Sequence, residues 1–123
     1  MASRDPKLLL PELYEKYLRF AAAMKEAGID YILTCTLRTQ ADQDALYAQG
    51  RTQPGKKVTW TRKSKHIEGK AFDIAILKDG KITWNQDDYM KAGEIGLSIG
   101  LDWGGAWAKS KDYPHFQIPE KAA

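Results

Sequence analysis

The residues best suited to chemistry lie in two short stretches, residues 64–73 and 112–116. The first contains His66 and, seven positions later, Asp73, whereas the second contains Asp112 and, three positions later, His115. The sequence has no other histidine. Two imidazoles and a carboxylate from separate segments form a plausible set of three ligands for a metal ion.

The ligand types favour a catalytic zinc site over a structural one. A catalytic site uses three protein ligands and leaves the fourth position to water, whereas a structural site closes all four, usually with several cysteines. Cys35 is the single cysteine of the chain and cannot supply such a set. Asp112 would then serve as a general base that takes a proton from the attacking water and later passes it to a leaving amine. This combination is typical of a hydrolase.

The pattern around these residues predicts the strands that position them. Gly69 permits a sharp turn, and the run at 71–77 is apolar except for Asp73, which predicts a buried strand. The alternation around Pro114 predicts an edge or terminal strand at 113–118, where a proline costs little.

The remaining patterns complete an α+β prediction. Apolar spacing and end signals predict three helices, and β-branched runs and a turn at 78–81 predict two more strands. The expected fold is a small antiparallel sheet with strands near 31–37, 71–77, 81–84 and 113–118, packed by helices near 10–27, 40–49 and 86–99. We expect residues 1–123 to form one catalytic domain.

Three features are read more simply as structure than as chemistry. The carboxylates of Asp87 and Asp88 fall in the first turn of the third helix, behind Asn85 as its cap, and need no metal. Cys35 lies in a predicted strand, where a small buried thiol packs well. The Gly104-Gly105 pair is not a phosphate-binding loop, because neither of the required motifs follows it.

The two histidine motifs resemble those of a known family. The patterns Ser64-x-His66-x6-Asp73 and Asp112-x-x-His115 resemble the zinc peptidases of the D-Ala-D-Ala carboxypeptidase and dipeptidase group, which share a fold with the hedgehog signalling domain. Within that group, Asp112 in place of the usual glutamate is similar to the phage endolysins that cut stem peptides between L-alanine and D-glutamate.

The resemblance also implies roles in the site for Arg38 and Gln43, which on composition alone would be expected to lie in solvent. Arg38 and Gln43 match endolysin positions that face the active site, so Arg38 would hold a substrate carboxylate or stabilise the oxyanion. Gln43 and Ser64 would bind substrate. Trp103 and Trp107 are candidates for the wall of the substrate groove, although core packing is the favoured interpretation of both. For the loop residues Trp60 and Arg62, a contact with the glycan or peptide also stays open, and an anchoring role in the core is equally plausible for Trp60.

The composition is compatible with a wall enzyme and argues against some other classes. A net charge of +3, spread among 16 acidic residues, gives little reason to expect a nucleic-acid partner. No apolar run approaches a membrane span, and the start has no secretion signal. We therefore expect synthesis in the cytoplasm and no membrane insertion. The resemblance to the endolysins further implies a phage host cell, bacterial peptidoglycan as the substrate, a holin-type lysis partner that gives access to it, and a monomer with no separate wall-binding domain.

Two other functions remain open from the sequence. A D,D- or L,D-carboxypeptidase of the same fold would differ only in which bond reaches the metal. A non-catalytic binding module stabilised by zinc is the second alternative, and Asp112, Arg38 and Gln43 argue against it.

Overall fold

The computed structural model describes residues 3–38, 40–55, 66, 68–108 and 111–119. Within these ranges the helices are α1 (Pro11–Glu26), α2 (Gln40–Ala48) and α3 (Gln86–Ile99). The strands are β1 (Asp30–Cys35), β2 (Ala71–Lys78), β3 (Lys81–Thr83), β4 (Asp102–Trp103) and β5 (His115–Gln117).

The strands form one antiparallel sheet with β2 in a central position. The order is β1-β2-β5-β4, and β3 also pairs with β2 beyond the end of β5. The predicted α+β architecture is confirmed, including its antiparallel sheet and three helices. The β2–β3 turn is the predicted hairpin, in which Asp79 and Gly80 both have positive φ, 54° and 77°.

The strand that carries His115 lies inside the sheet, so of the two predicted alternatives the edge position is wrong, whereas β5 is the last strand along the described chain. β5 is flanked by β2 on one side and by the two-residue strand β4 on the other. Pro114 is accommodated because β5 begins one residue after it, so its missing N–H removes no ladder hydrogen bond. Its carbonyl still accepts a hydrogen bond from the backbone N–H of Ile74 at 3.0 Å.

The core lies on one face of the sheet and is centred on three fully buried aromatic rings. Phe20 of α1 packs against Phe72 of β2 and Phe116 of β5, with ring centroids 5.4 and 4.9 Å away. Each such ring contributes on the order of 1.5–3 kcal/mol by leaving water. Because side chains alternate along a strand, Asp73 and His115 point to the other face. The sheet thus separates the core from the polar residues.

The helices begin and end where the local sequence predicts. α1 has Pro11 in its first turn, and the Asn85 side chain accepts from the Asp87 N–H at 3.1 Å at the start of α3. α3 stops at Gly100, which has a φ of 93°. Asp88 binds the Lys78 ammonium at 2.8 Å, which accounts for this carboxylate without a metal.

None of the helices in the described part of the chain combines the length and the apolar character that crossing a membrane requires.

Candidate metal centre and active site

A row of three side-chain positions crosses the polar face of the sheet. Cys35 of β1 lies opposite Asp73 of β2, and Asp73 lies opposite His115 of β5. The register of β1 shifts between Leu33 and Cys35, which is the signature of a β-bulge. Bulges often re-aim a side chain beside an active site, and this one brings Cys35 level with Asp73.

Asp73 is the centre of a compact cluster of three possible ligands. Its Oδ2 lies 3.2 Å from Nε2 of His66, and its Oδ1 lies 2.9 Å from Nδ1 of His115. One donor atom from each residue can be chosen so that all three lie within 4.8 Å of one another. Both histidines are buried, and their rings meet nearly edge to face at 5.2 Å between centroids. The structure therefore brings together the three predicted ligands.

His66 is held in place through its own backbone. Its carbonyl accepts from the N–H of Arg38 at 3.0 Å and from the N–H of Gly69 at 3.3 Å. Gly69 has a φ of 70°, and an added β-carbon would lie 3.1 Å from the carbonyl oxygen of Leu8. Glycine therefore fits both the conformation and the space after His66.

The chemistry of the cluster suits a divalent metal with N and O ligands. Two imidazole nitrogens and one carboxylate oxygen match the three-ligand donor set of catalytic zinc, and the single cysteine is outside the group. Nε2 of His115 is hydrogen-bonded to Oε1 of Gln117 at 2.8 Å. His115 therefore offers Nδ1 to the cluster while its other nitrogen has a separate partner. The residues present fit the metal.

The protonation of the cluster without a metal follows from its geometry. Burial lowers the pKa of His66, but hydrogen bonds to Asp73 and Cys35 outweigh it and raise that pKa to about 9. Burial likewise opposes ionisation of Asp73, but hydrogen bonds with His115 and His66 hold the pKa of its carboxyl well below the usual range. Without a metal, a proton on His66 balances the Asp73 carboxylate, and a bound cation would replace it.

Asp112 lies beside the cluster on a well-braced segment. Its Oδ2 is 4.0 Å from Nδ1 of His115, and its side chain is 48% exposed. The backbone N–H of Asp112 donates to Gly104 at 3.0 Å, and its carbonyl accepts from the N–H of His115 at 3.1 Å. Partial burial and then the charge of Asp73 raise the pKa of Asp112, against the opposing effect of His115, His66 and Arg38. A carboxylate of raised pKa, open to solvent, is suited to receive a proton.

Arg38 lies at the junction between β1 and α2, and two side chains contact its guanidinium. Its Nη1 donates to Oε1 of Gln43 at 2.7 Å, and its Nη2 lies 3.6 Å from Sγ of Cys35. Within the described residues, Nε of Arg38 has no hydrogen-bond partner. The guanidinium is thus oriented by side chains while one donor remains available.

Gln43 lies against Arg38 on helix α2. Its side chain is fully buried, and its carbonyl oxygen accepts from Arg38. This contact orients the arginine, and the expected contact of Gln43 with substrate stays a prediction. Ser64, the other predicted substrate-binding residue, lies outside the described residues, as do Trp60 and Arg62.

A cleft of about 450 Å³ opens beside Asp73, between the end of β1 and helix α2. Its lining includes Arg38, Asp42, Leu46 and Gln49. The cleft is mixed in polarity and large enough for several residues of a peptide. Its position places any occupant next to both the guanidinium of Arg38 and the carboxylate of Asp73.

The two tryptophans of the glycine-rich segment have different environments. Trp103 is buried in the core, and its indole N–H donates to the carbonyl of Tyr113 at 2.8 Å. Trp107 is half-buried, with a ring centroid 5.3 Å from that of His115. Trp103 therefore braces the segment that leads to His115, and Trp107 forms a border of the candidate site.

Sequence reasoning missed three residues of this neighbourhood. From the sequence, core packing is the favoured role of Cys35 and a loop position that of Gly104, because their neighbours in the fold are distant in sequence. Gln117 was not considered at all. The period-two alternation of β5, which places residues 115 and 117 on one face, is the signal that could have identified it.

An antiparallel sheet that gathers two histidines and an aspartate beside a second carboxylate is typical of a metal-dependent hydrolase. The family described as D-alanyl-D-alanine carboxypeptidase matches residues 57–118, which is half of the sequence. The chain belongs to this family.

Two curated relatives and one solved structure give the comparison more detail. The chain is 41% identical over 113 residues to the peptidoglycan L-alanyl-D-glutamate endopeptidase CwlK of Bacillus subtilis, with 82% of this chain and 66% of the relative covered. It is 31% identical over 97 residues to the L-alanyl-D-glutamate peptidase of Listeria phage A118, with 76% and 32% covered. The chain thus spans less than two thirds of the length of these relatives.

The fold is also similar to that of a crystal structure. The L-Ala D-Glu endopeptidase ChiX of Serratia marcescens superposes with a TM-score of 0.73 at 24% identity, covering 97% of this chain and 89% of that one. At this identity the likeness concerns the fold.

Proposed function

We propose that this chain is a zinc peptidase that hydrolyses the L-Ala-D-Glu bond in the stem peptides of bacterial peptidoglycan. The observation that carries the proposal is the pair of imidazole nitrogens facing the two oxygens of Asp73, with Asp112 4.0 Å from one of them. The bond itself is suggested by the names of the two curated relatives.

In this proposal His66, Asp73 and His115 hold the metal. When bound, zinc supplies a Lewis acid that lowers the pKa of water and polarises a peptide carbonyl. Both histidines are buried, so their nitrogens are largely removed from bulk water. The ring of Trp107 packs beside that of His115.

Asp112 is the proposed general base. Its carboxylate is exposed toward solvent, its pKa is raised, and its backbone is tied to His115. It would take a proton from the attacking water as a general base and then give it to the departing amine as a general acid. Neither Asp73 nor the histidines are available for this step, because they hold the metal.

Arg38 is the proposed electrostatic partner of the substrate. Glutamate keeps a second carboxylate whichever of its carboxyl groups is linked onward, and a guanidinium suits such a group. The same charge, oriented by Gln43 and Cys35, could stabilise the oxyanion of the reacting carbonyl. We retain Ser64 as a proposed substrate contact on the basis of its motif, and Gln43 as a residue that acts through Arg38.

The biological setting is a further part of the proposal. The phage relative supports an endolysin that acts on the wall after membrane permeabilisation, whereas the Bacillus relative fits a bacterial wall enzyme equally well. A single catalytic domain acting as a monomer is the simplest arrangement. The endolysin role would be supported if the enzyme lyses intact cells only in the presence of a pore-forming agent but digests purified walls without one.

A D-alanyl-D-alanine carboxypeptidase is the second candidate, because that is how the matched family is described. Digestion of purified peptidoglycan followed by mass spectrometry separates the two activities. We expect fragments that begin with a free D-Glu amine. Release of terminal D-alanine with intact L-Ala-D-Glu bonds would establish the second candidate and reject the first.

A further inference from the structure

The further feature is the contact between His115 and Gln117 on the polar face of β5. Gln117 is two residues beyond His115, so both side chains project from the same face of the strand. The backbone at Gln117 is paired on both sides, with Ala71 of β2 and Asp102 of β4. A half-buried side chain on such a doubly paired strand has little freedom to move away.

Each ring nitrogen of His115 faces a different acceptor. Nδ1 lies 2.9 Å from Oδ1 of Asp73, and Nε2 lies 2.8 Å from Oε1 of Gln117. A neutral imidazole carries one proton, and a metal can bind only the nitrogen that lacks it. Nδ1 is the nitrogen that faces the cluster, so the proton must be on Nε2 when a metal is bound.

Asp73 and Gln117 have opposite effects on that choice. A proton on Nδ1 would donate to Oδ1 of Asp73, 2.9 Å away, and would block the ligand position. The amide oxygen of Gln117 accepts a hydrogen bond only from a protonated Nε2. It therefore favours the tautomer in which the Nδ1 lone pair points toward the other ligands.

We propose that Gln117 is a positioning residue that holds His115 in the Nε2–H tautomer and fixes its ring angle for metal binding. This inference rests on the proposed zinc site. It adds a residue to that site that neither the sequence motifs nor the three-ligand cluster includes. Residues that orient a ligand imidazole in this way typically change metal affinity by about 10- to 100-fold when removed.

Two substitutions separate the hydrogen bond from the bulk of the side chain. Gln117→Met keeps the length and removes the acceptor, whereas Gln117→Glu keeps an acceptor at the same place. Gln86 is an exposed glutamine at the start of α3, so Gln86→Met is the matched control. Gln117→Ala is the second variant if methionine prevents folding.

The first readout is the zinc dissociation constant, measured by competition with a chromophoric chelator. We expect Gln117→Met to weaken binding about 10- to 100-fold, Gln117→Glu to stay within about threefold of the wild type, and Gln86→Met to change nothing. Equal losses for the Met and Glu variants, or wild-type affinity for Gln117→Met, would overturn the proposal. A wild-type chain that binds no zinc would reject the zinc site and this inference together. A wild-type chain that binds zinc, with the same affinity in Gln117→Met, would reject this inference alone.

The second readout is the imidazole proton itself. In nitrogen-15 spectra of the zinc-loaded protein, we expect a slowly exchanging Nε2–H of His115 in the wild type and in Gln117→Glu. In Gln117→Met the same proton should exchange rapidly and disappear. A structural role of Gln117 would leave this signal unchanged, and its persistence in Gln117→Met would contradict the proposal.

Discussion

Gly104 packs directly against the backbone of Asp112, so closely that a β-carbon at position 104 would overlap the carbonyl of Asp112. The same glycine accepts the backbone hydrogen bond of Asp112 through its own carbonyl at 3.0 Å. The candidate general base is thus positioned by a residue eight positions away that has no side chain. This contact makes the glycine-rich segment part of the candidate active site.

Gly104→Ala should reduce turnover while leaving zinc bound. The added methyl group must push the Asp112 segment away, and a misplacement of about 1 Å can cost about 100-fold in rate. The measurements are kcat on a peptidoglycan fragment and zinc content. Gly28→Ala, in the turn between α1 and β1, is the control, because its β-carbon would meet no atom within 4 Å. A Gly104→Ala enzyme with wild-type kcat would show that the position of Asp112 does not matter.

Asp112→Asn should separate chemistry from metal binding. The amide keeps the shape of the side chain but cannot take a proton, so kcat should fall by at least about 100-fold with zinc retained. His66→Ala should lose both, because it removes a ligand. Zinc analysis and kinetics on the same preparations test the pair. Wild-type turnover by Asp112→Asn would remove Asp112 from the mechanism.

Gln43→Leu should impair Arg38 without touching the cluster. The substitution leaves a half-buried guanidinium donor unpaired, which should cost about 1 kcal/mol in unfolding free energy and lower kcat/KM. Gln40→Leu, on the exposed side of the same helix, should change the unfolding free energy by less than about 0.5 kcal/mol. Thermal unfolding and kinetics measure both effects. Equal behaviour of the two variants would mean that the Arg38–Gln43 hydrogen bond has no special role.

The metal-free protein should lose stability as the pH becomes alkaline. The pKa of His66 is raised from 6.5 to about 9 in the folded state, so the folded chain holds that proton more tightly than the unfolded chain. The resulting stabilisation is fully present below about pH 6.5 and is lost as the pH rises through about 9. The measurement is the unfolding free energy in chelator, compared between wild type and His66→Gln. A difference between them that does not shrink across this window would contradict the His66–Asp73 pairing.

Asp73 gives the opposite dependence at acidic pH. Its ordinary pKa is 3.8, and its pKa in the folded state is lower. The ionised carboxylate therefore stabilises the folded chain above about pH 3.8, and this stabilisation is lost as the pH falls through the lowered pKa. The comparison of wild type with Asp73→Asn in chelator measures it. If acid unfolding were identical in the two proteins, the Asp73 carboxylate would contribute nothing to the stability of the folded chain.

The parts of the fold that depend on local pattern were predictable from the sequence. The helices follow from apolar spacing with Pro11, Asn85 and Gly100 at their ends, and the β2–β3 hairpin follows from Asp79-Gly80. The grouping of His66, Asp73 and His115 was also expected, although the spacing alone left its chemistry open. Local rules were sufficient wherever the stabilising contacts are close in sequence.

Contacts between distant segments account for what the sequence did not reveal. The interior position of β5 depends on β4, whose two residues are too few to show a period. The bulge before Cys35 depends on how β1 pairs with β2. The burial of Gln43 depends on which face of α2 meets Arg38, and a short polar helix gives little indication of that. These relationships require the tertiary arrangement.

Zinc titration of the metal-free protein is the most direct test of the central claim. The protein is stripped with a chelator, shown to remain folded by circular dichroism, and supplied with increasing zinc while cleavage of an L-Ala-D-Glu peptide is followed by mass spectrometry. We predict that cleavage is absent at the start, rises in proportion to zinc, and reaches its plateau at about one equivalent, as expected for a single three-ligand site. Full cleavage by the stripped protein, or none at any zinc level, would contradict the account.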